Sequence, residues 1–237
     1  MLIIIDKRLP IKVRQFLAKY GELIEFATSG ITYEAISGHP DIFFCQTTAG
    51  LIVAPNTPGK YLSKLIAKKI PFTFGRLPVG NSYPESARYN AVVTDKYLIH
   101  NQAITDPSIS ALTTASDNLT FTLSALTLNQ GYTRCNLIAL GESNFITSDK
   151  GIEKALQAKC LEVQFVSPVG ILLPGYENGF FGGCCGIWDD KLFITGNLDH
   201  YSEGERVREI AAGSGMEIIE LYDGPLFDGG GIFFIPD

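Results

Sequence analysis

The sequence predicts a mixed α/β fold built from five similar units that close into a ring. Three observations favour it: a repeated hairpin pattern, helical segments between hairpins, and complementary apolar stretches at the two ends of the chain. Three of the four complete hairpins have the same length, running 45–56, 90–101 and 186–197. The five units begin at small or polar residues that are separated by 45, 46, 50 and 45 positions, namely Cys45, Asn90, Asn136, Gly186 and Gly231.

A helix and a third strand are predicted to follow the hairpins. Thr57, as N-cap before a proline, is suited to begin a helix that reaches Lys69. Asp149 is suited to cap a second helix, and Ser202 directly precedes a third. The stretch 106–128 is rich in Thr and Ser, which weakens the helix prediction there. Each unit is therefore expected to read strand, strand, helix, strand.

The two ends of the chain complete each other. The fifth unit has only its first strand, IFFI at 232–235. The missing parts are predicted at the start of the chain, as the strand LIII at 2–5 and a helix within 10–21. We expect the first and last strands to pair, because closure removes exposed strand edges. The stretch DGGG at 228–231 is expected at a close approach of the chain, where the backbone needs angles that glycine adopts readily.

Composition places the chain among acidic globular proteins. The 237 residues are 46% apolar and 19% charged, and the net charge is −6. This apolar fraction is enough to form the core of one domain over 1–237. An acidic chain without basic runs is not expected to bind nucleic acid. Apolar stretches of membrane-spanning length are absent, so no membrane association is predicted.

The five cysteines predict reduced thiols in a cytoplasmic protein. Their number is odd, and their spacing matches neither a disulfide framework nor a zinc site. The start MLIIID lacks the basic segment of a secretory signal. We predict no metal and no cofactor. DGGG at 228–231 lacks the downstream Gly-Lys-Ser/Thr of a phosphate-binding loop, so nucleotide-phosphate binding is not expected there. Cys45, Cys135 and Cys160 are predicted to be buried, and His100 and His200 peripheral.

Five strand–strand–helix–strand units around a centre resemble the pentein fold, a five-bladed α/β propeller. The resemblance covers the whole chain through its repeats. It implies the superfamily of guanidino-group-modifying enzymes, which includes deiminases, dimethylargininase and amidinotransferases. Family enzymes carry a nucleophilic cysteine after a glycine-rich turn in the last unit. LFDGGGIFF at 226–234 is similar to that turn, but Phe233 and Phe234 stand where the cysteine is expected.

The resemblance implies catalytic candidates elsewhere in the chain. HPDIFFC at 39–45 is similar to the family's His-x-Asp stretch, and GFFGGCCG at 179–186 supplies a glycine-flanked cysteine pair. Cys184 or Cys185 would attack the guanidinium carbon, with His39 as acid and base. Such a thiol needs a depressed pKa. The alternative is that these cysteines are small buried residues and that His39 caps a backbone group in a turn.

Carboxylates and arginines complete the predicted ligand site. Asp41 and Asp228 would accept charge-assisted hydrogen bonds from a planar guanidinium group. Arginines near the axis would hold a ligand carboxylate or phosphate. In the alternative, they join neighbouring units, and the asparagines satisfy backbone groups at strand entry. The Arg-x-Asn pattern occurs twice, as Arg88 with Asn90 and Arg134 with Asn136.

Two functions follow from the sequence. In the first, the chain binds a small polar ligand of the guanidino class, with or without hydrolysis or amidino transfer by a cysteine. In the second, it is a non-catalytic binding or scaffold protein, as is the ribosome anti-association initiation factor that shares the pentein fold. Either function is compatible with a homo-oligomer.

Overall fold

The computed structural model describes residues 1–48, 50–113 and 123–236. Within these ranges, the strands form five separate three-stranded sheets rather than one closed sheet. The strands are β1 (Leu2–Asp6), β2 (Glu22–Phe26), β3 (Phe44–Thr47), β4 (Gly50–Val53), β5 (Phe72–Phe74), β6 (Val92–Val93), β7 (Tyr97–His100), β8 (Ser124–Thr127), β9 (Leu137–Ala139), β10 (Asn144–Thr147), β11 (Glu162–Phe165), β12 (Cys185–Trp188), β13 (Lys191–Ile194), β14 (Glu217–Glu220) and β15 (Phe233–Ile235).

Each sheet has the same pairing, which confirms the predicted repeat. The middle strand pairs antiparallel with the first strand of the unit and parallel with the third. A helix connects the middle strand to the third, as a parallel connection requires. The sheet orders are β15-β1-β2, β3-β4-β5, β6-β7-β8, β9-β10-β11 and β12-β13-β14.

The helices that connect parallel strands lie at the predicted places. In chain order they are α1 (Ile11–Leu17), α3 (Gly59–Ala67), α4 (Pro107–Ser110), α6 (Lys150–Gln157) and α7 (Gly204–Gly213), while the short helices α2 (Pro40–Phe43) and α5 (Thr133–Asn136) precede first strands. In the weakly predicted stretch 106–128, the structure describes only 106–113 and 123–128. No helix in the described ranges is long and apolar enough to span a lipid bilayer.

The helix caps match the sequence prediction at one of three places. The Asp149 carboxylate accepts a hydrogen bond from the Ile152 amide at 2.9 Å, as predicted. The Thr57 hydroxyl has no hydrogen-bond partner, because α3 begins two residues later, after a proline. Ser202 is not a cap either, since Glu203 occupies the N-cap position of α7. In both cases the sequence prediction places the N-cap one residue too early, since Pro58 and Glu203 occupy that position.

The predicted pairing of the terminal strands is confirmed. Strand β1 pairs antiparallel with β15, with Leu2 opposite Ile235 and Ile4 opposite Phe233. All five residues of β1 are buried, and so are all three of β15. The apolar end of the sequence is therefore the edge strand of a sheet that also contains β1.

A tight turn precedes the first strand of each unit, and hydrogen bonds connect each turn to the next. The turns contain α2, the residues 85–90, α5, the residues 182–184 and the glycine run at 229–231. Their connections are Asn90 Nδ2 to Asp41 O at 3.3 Å, Arg134 N to Asn90 O at 2.9 Å, Arg134 Nη1 to Gly182 O at 2.8 Å, Gly231 N to Gly183 O at 2.8 Å, and Asp41 N to Gly230 O at 3.4 Å. These turns carry the candidate site residues.

The glycine run provides both close approach and left-handed backbone geometry. Gly230 has φ of +69°, and a Cβ there would lie 2.3 Å from His39 Cβ. Gly231 has φ of +80°, and its Cβ would lie 2.8 Å from Arg134 Nη2. Residues other than glycine rarely adopt such φ angles. The prediction for this turn is therefore confirmed.

Candidate ligand-binding site

A cavity of about 160 Å³ lies beside α2 and α5. Its polar lining side chains include His39, Cys135 and Asp228. Aromatic rings provide much of the remaining wall, namely Tyr33, Tyr132, Tyr176 and Phe180. Of these lining side chains, His39, Cys135 and Asp228 are buried, whereas Tyr176 is half-exposed.

His39 is buried between two carboxylates. Its Nδ1 lies 4.0 Å from Asp228 Oδ1, and its Nε2 lies 3.9 Å from Asp6 Oδ2. Neither distance is a hydrogen bond, and Nε2 has no hydrogen-bond partner. Burial lowers the pKa of His39, although the charges of Asp228 and Asp6 act in the opposite direction. Burial thus disfavours the charged form of the ring, and its Nε2 has hydrogen-bonding capacity unused.

Asp41 is a buried carboxyl group whose two oxygens both lack a hydrogen-bond partner. It lies on α2 between His39 and Ile42, which both line the cavity, whereas Asp41 itself is not a lining residue. Burial first, and then the charge of Asp228, raise the pKa of Asp41 to about 8. The charge of Arg134, and then Asn90 and Cys135, lower that pKa, but neither Asn90 nor Cys135 makes a hydrogen bond of normal geometry with the carboxyl group.

Asp228 is held in place by backbone amides. Its Oδ2 accepts from Phe180 N at 2.9 Å, and its Oδ1 accepts from Gly230 N at 3.0 Å. Burial raises the pKa of Asp228, while His39 and these amides lower it. The carboxylate is fixed in orientation and forms part of the cavity wall.

The thiol that lines the cavity is Cys135, not Cys184 or Cys185. Cys135 Sγ lies 3.3 Å from Asn90 Oδ1. Cys184 Sγ donates to Phe180 O at 3.4 Å, and burial raises the pKa of Cys184, as it raises that of Cys185 to about 12. Burial also raises the pKa of Cys135. None of these thiols has the depressed pKa that a resting nucleophile needs.

The two predicted arginines lie in different surroundings. Arg88 Nη1 donates to Pro78 O at 2.5 Å, and its guanidinium is 3.6 Å from Glu85. Arg134 donates to Gly182 O at 2.8 Å and to Cys185 O at 3.0 Å, and its guanidinium lies 5.6 Å from the Phe233 ring centre. Neither arginine lines the His39 cavity. Arg134 thus connects neighbouring units, as the sequence alternative describes, whereas the partners of Arg88 lie in its own connection between β5 and β6.

The two asparagines satisfy backbone groups at strand entry. Asn90 Oδ1 accepts from Cys135 N at 3.2 Å, which connects the second unit to the third. Asn136 Nδ2 donates to Tyr132 O at 2.9 Å, and its Oδ1 accepts from Ser148 Oγ at 3.0 Å. Both side chains are buried. These contacts are those of the structural alternative.

Sequence reasoning missed an ion pair beside the cavity. Arg8 Nη2 lies 2.6 Å from the fully buried carboxylate of Asp6. The same guanidinium donates to Glu34 O and Ala35 O, both at 2.8 Å. It thereby fixes the segment that carries Tyr33 and Ile36. The Asp6-Lys7-Arg8 sequence at the end of an apolar strand is the only signal that marked this pair in advance.

Two further predictions about single residues were wrong. His100 is buried, with Nδ1 2.7 Å from Thr105 Oγ1 and Nε2 2.7 Å from Gly131 O, and burial lowers its pKa to about 4. Cys160 is exposed, while Cys45 and Cys135 are buried as predicted. His200 is half-exposed and lies 2.8 Å from Asp223. In the described residues, no group of three or more His, Cys, Asp and Glu side chains is arranged to hold a metal ion.

Solved structures with the same architecture are guanidino-modifying enzymes. DDAH from Pseudomonas aeruginosa, a cysteine-to-serine mutant complexed with citrulline, superposes with a TM-score of 0.53 at 10% identity, over 92% of this chain and 91% of that chain. SxtG, an amidinotransferase from Microseira wollei in the saxitoxin biosynthetic pathway, gives 0.53 at 9% identity, over 92% and 87%. C. jejuni agmatine deiminase gives 0.53 at 6% identity, over 93% and 87%.

These likenesses confirm the pentein-like fold that the repeats predicted. At such low identities, a common fold does not establish a common activity. No curated protein matches the chain in sequence. The model of a family of unknown function, DUF6873, matches residues 4–233. Because that match spans nearly the whole chain, the protein belongs to the DUF6873 family, and it has a pentein-like fold.

Proposed function

We propose that this chain is a single-domain protein, residues 1–237, that binds a small guanidino or amidino cation in the His39 cavity. In this proposal, the five sheets form a closed five-bladed propeller, and the ligand enters at one end of its axis. The observation that carries the proposal is Asp41, a fully buried carboxyl group whose two oxygens both lack partners. His39 Nε2, also buried without a partner, lies on the same turn.

Unpaired buried acceptors are costly, so their presence argues for a missing donor. A buried polar atom without a hydrogen bond costs about 1–3 kcal/mol, and Asp41 has two such atoms. Asp41 does not itself line the cavity, so a planar cation would have to reach past the lining residues beside it, where two parallel N–H groups would satisfy both oxygens at once. Its charge would compensate Asp41 and Asp228, which lie close enough for the charge of Asp228 to raise the pKa of Asp41.

Cavity size and fold also support a small ligand of this class. A volume of about 160 Å³ is below the roughly 300–1,000 Å³ of typical ligand pockets. The cavity therefore suits a guanidinium head with a short substituent. The similar solved structures include one complexed with citrulline and others named as an amidinotransferase and an agmatine deiminase.

A second candidate function adds thiol chemistry at the same cavity. It is favoured by one observation, that Cys135 and His39 line the cavity together. The Cys135 thiol would give its proton to His39 as the sulfur bonds to the guanidinium carbon, and the C–N bond to the leaving amine would break as His39 passes that proton to the amine. Water would then add to the same carbon, and the C–S bond would break to release the urea product and the thiol. A bound cation would lower the pKa of Cys135 and so favour the thiolate.

Thermal unfolding with a matched pair of small ligands tests the proposal. Methylguanidinium and methylurea have nearly the same shape, but only the first is a cation. We expect methylguanidinium at about 100 times its Kd to stabilise the fold by about 2.7 kcal/mol, a shift of roughly 5–10 °C for a chain of this size. Methylurea should give no shift.

Three outcomes are informative in this experiment. Equal shifts with both ligands would contradict a carboxylate-paired cation site. No shift with either would remove the binding proposal and favour the scaffold alternative. Release of ammonia or methylamine that Cys135→Ser abolishes, and that Cys184→Ser retains, would establish the second candidate in addition to binding.

A further inference from the structure

Three tyrosines surround the outer part of the His39 cavity, and their contacts fix two of the rings. Tyr33, Tyr132 and Tyr176 all line the cavity. The Tyr33 hydroxyl donates to the Tyr132 hydroxyl at 3.1 Å, which in turn lies 2.6 Å from Ser86 Oγ. The Tyr33 and Tyr176 ring centres are 6.3 Å apart. We call these three residues the tyrosine collar. Tyr176 is 56% exposed and forms its solvent side.

No positive charge faces this collar. The residues that line the cavity include no lysine and no arginine. Arg8, which lies beside it, already donates to Asp6, Glu34 O and Ala35 O. Arg88 and Arg134 are engaged with other partners and do not line the cavity. A carboxylate on the ligand would therefore find no cationic partner in the described residues around the cavity.

The electrostatics of the cavity disfavour a ligand carboxylate further. Asp228 lines its wall, and Asp6 lies 3.9 Å from His39 on the other side of the imidazole. A second anion in this small space would be repelled through a medium of low dielectric constant. Aromatic faces, in contrast, accept alkyl groups and attract cations. The collar thus has the chemistry for an apolar or cationic substituent.

We infer that the tyrosine collar makes the site selective for guanidino or amidino cations whose substituent is apolar or positively charged, and that it rejects amino acids and guanidino acids. Tyr176 is the specificity-determining residue, because its exposed ring meets the substituent where the ligand leaves the cavity. This inference rests on the proposed function, since it concerns the part of the same ligand that lies outside the cationic head.

Calorimetric titration with two ligands of equal chain length tests the inference. Butylguanidinium and 4-guanidinobutanoate share the head and the chain, and they differ in the terminal carboxylate. We expect butylguanidinium to bind at least tenfold more tightly. Tyr176→Ala should weaken butylguanidinium about fivefold and leave methylguanidinium unchanged. Val169→Ala, in the same exposed segment but not in the cavity lining, should change neither affinity.

A gain-of-function variant keeps the test independent of folding defects. Tyr176→Lys places a cation at the opening and should raise the affinity for 4-guanidinobutanoate by tenfold or more while weakening butylguanidinium. Equal or tighter binding of 4-guanidinobutanoate by the unaltered protein would overturn the inference. Failure of methylguanidinium itself to bind would instead overturn the proposed function, so the two failures are distinguishable.

Discussion

Asn in place of Asp41 should raise the melting temperature of the protein and abolish its stabilisation by methylguanidinium. At neutral pH, folding must keep this buried carboxyl protonated, because its pKa in the folded protein is about 8 and that of an unfolded chain is about 4. Asn is neutral at every pH and has a similar shape. We expect a gain of about 2–4 kcal/mol at pH 7, which corresponds to roughly 5 °C or more.

The pH dependence of this effect has a definite sign. A folded pKa above the unfolded one means that the stability contribution of Asp41 is fully present below about pH 4 and is lost as the pH rises through about 8. The advantage of Asp41→Asn should therefore be small at pH 5 and largest at pH 8. Thermal unfolding of both proteins at these two pH values measures it.

Asp106 offers a matched control for the same substitution. It too is a fully buried aspartate, but its oxygens accept hydrogen bonds from Leu77 N at 2.8 Å, Ser108 N at 2.8 Å and Arg76 N at 3.0 Å. Asp106→Asn should destabilise the protein by about 1–3 kcal/mol, because Asn replaces an acceptor oxygen with a donor. If Asp41→Asn destabilised the fold as much as Asp106→Asn, the view of Asp41 as a ligand-pairing group would be wrong.

Phe234→Ala should produce the largest loss of stability among single changes in the terminal strand. Phe234 is 1% exposed, lies opposite Ile3 in the pairing of β15 with β1, and has its ring centre 4.6 Å from that of Phe193. Truncation of a buried Phe costs about 3–5 kcal/mol, so the melting temperature should fall by roughly 6–20 °C. Chemical denaturation with urea provides the free energy directly.

The control for this change is Phe74→Ala at an exposed edge strand. Phe74 is 50% exposed, and its ring contacts only Phe72 among the aromatic side chains of the described residues. A loss of less than about 1 kcal/mol is expected there. A similar loss for both variants would mean that the terminal strand does not join β1 in the way that the structure shows.

The strand pattern was predictable because it depends on local sequence. Apolar runs bounded by turn residues recur at nearly constant spacing, and this spacing predicted the hairpins as well as the pairing of β1 with β15. The helix starts after Thr57 and Ser202 were less predictable, since a cap depends on the backbone angles of one or two residues. The three-stranded sheets of the described residues remain separate, and hydrogen bonds between turns connect them.

The site was predictable only in part, because it is assembled from distant segments. The resemblance of HPDIFFC to a family His-x-Asp stretch indicates His39 and Asp41, residue type indicates Asp228 as a second guanidinium acceptor, and the structure brings the three together. Cys135 was taken as a core residue, yet it lines the cavity with His39. The collar tyrosines carry no local signal, since Tyr33, Tyr132 and Tyr176 come from three separate connections.

Proton release on ligand binding tests the central claim most directly. The claim is that Asp41 is a buried acid without a hydrogen-bond partner and that it binds the cation of the ligand. Calorimetric titration of methylguanidinium at pH 7, in two buffers of different ionisation enthalpy, counts the protons released. Because the pKa of Asp41 is about 8, the account predicts release of about one proton per ligand. Binding without proton release, or release that persists in Asp41→Asn, would contradict it.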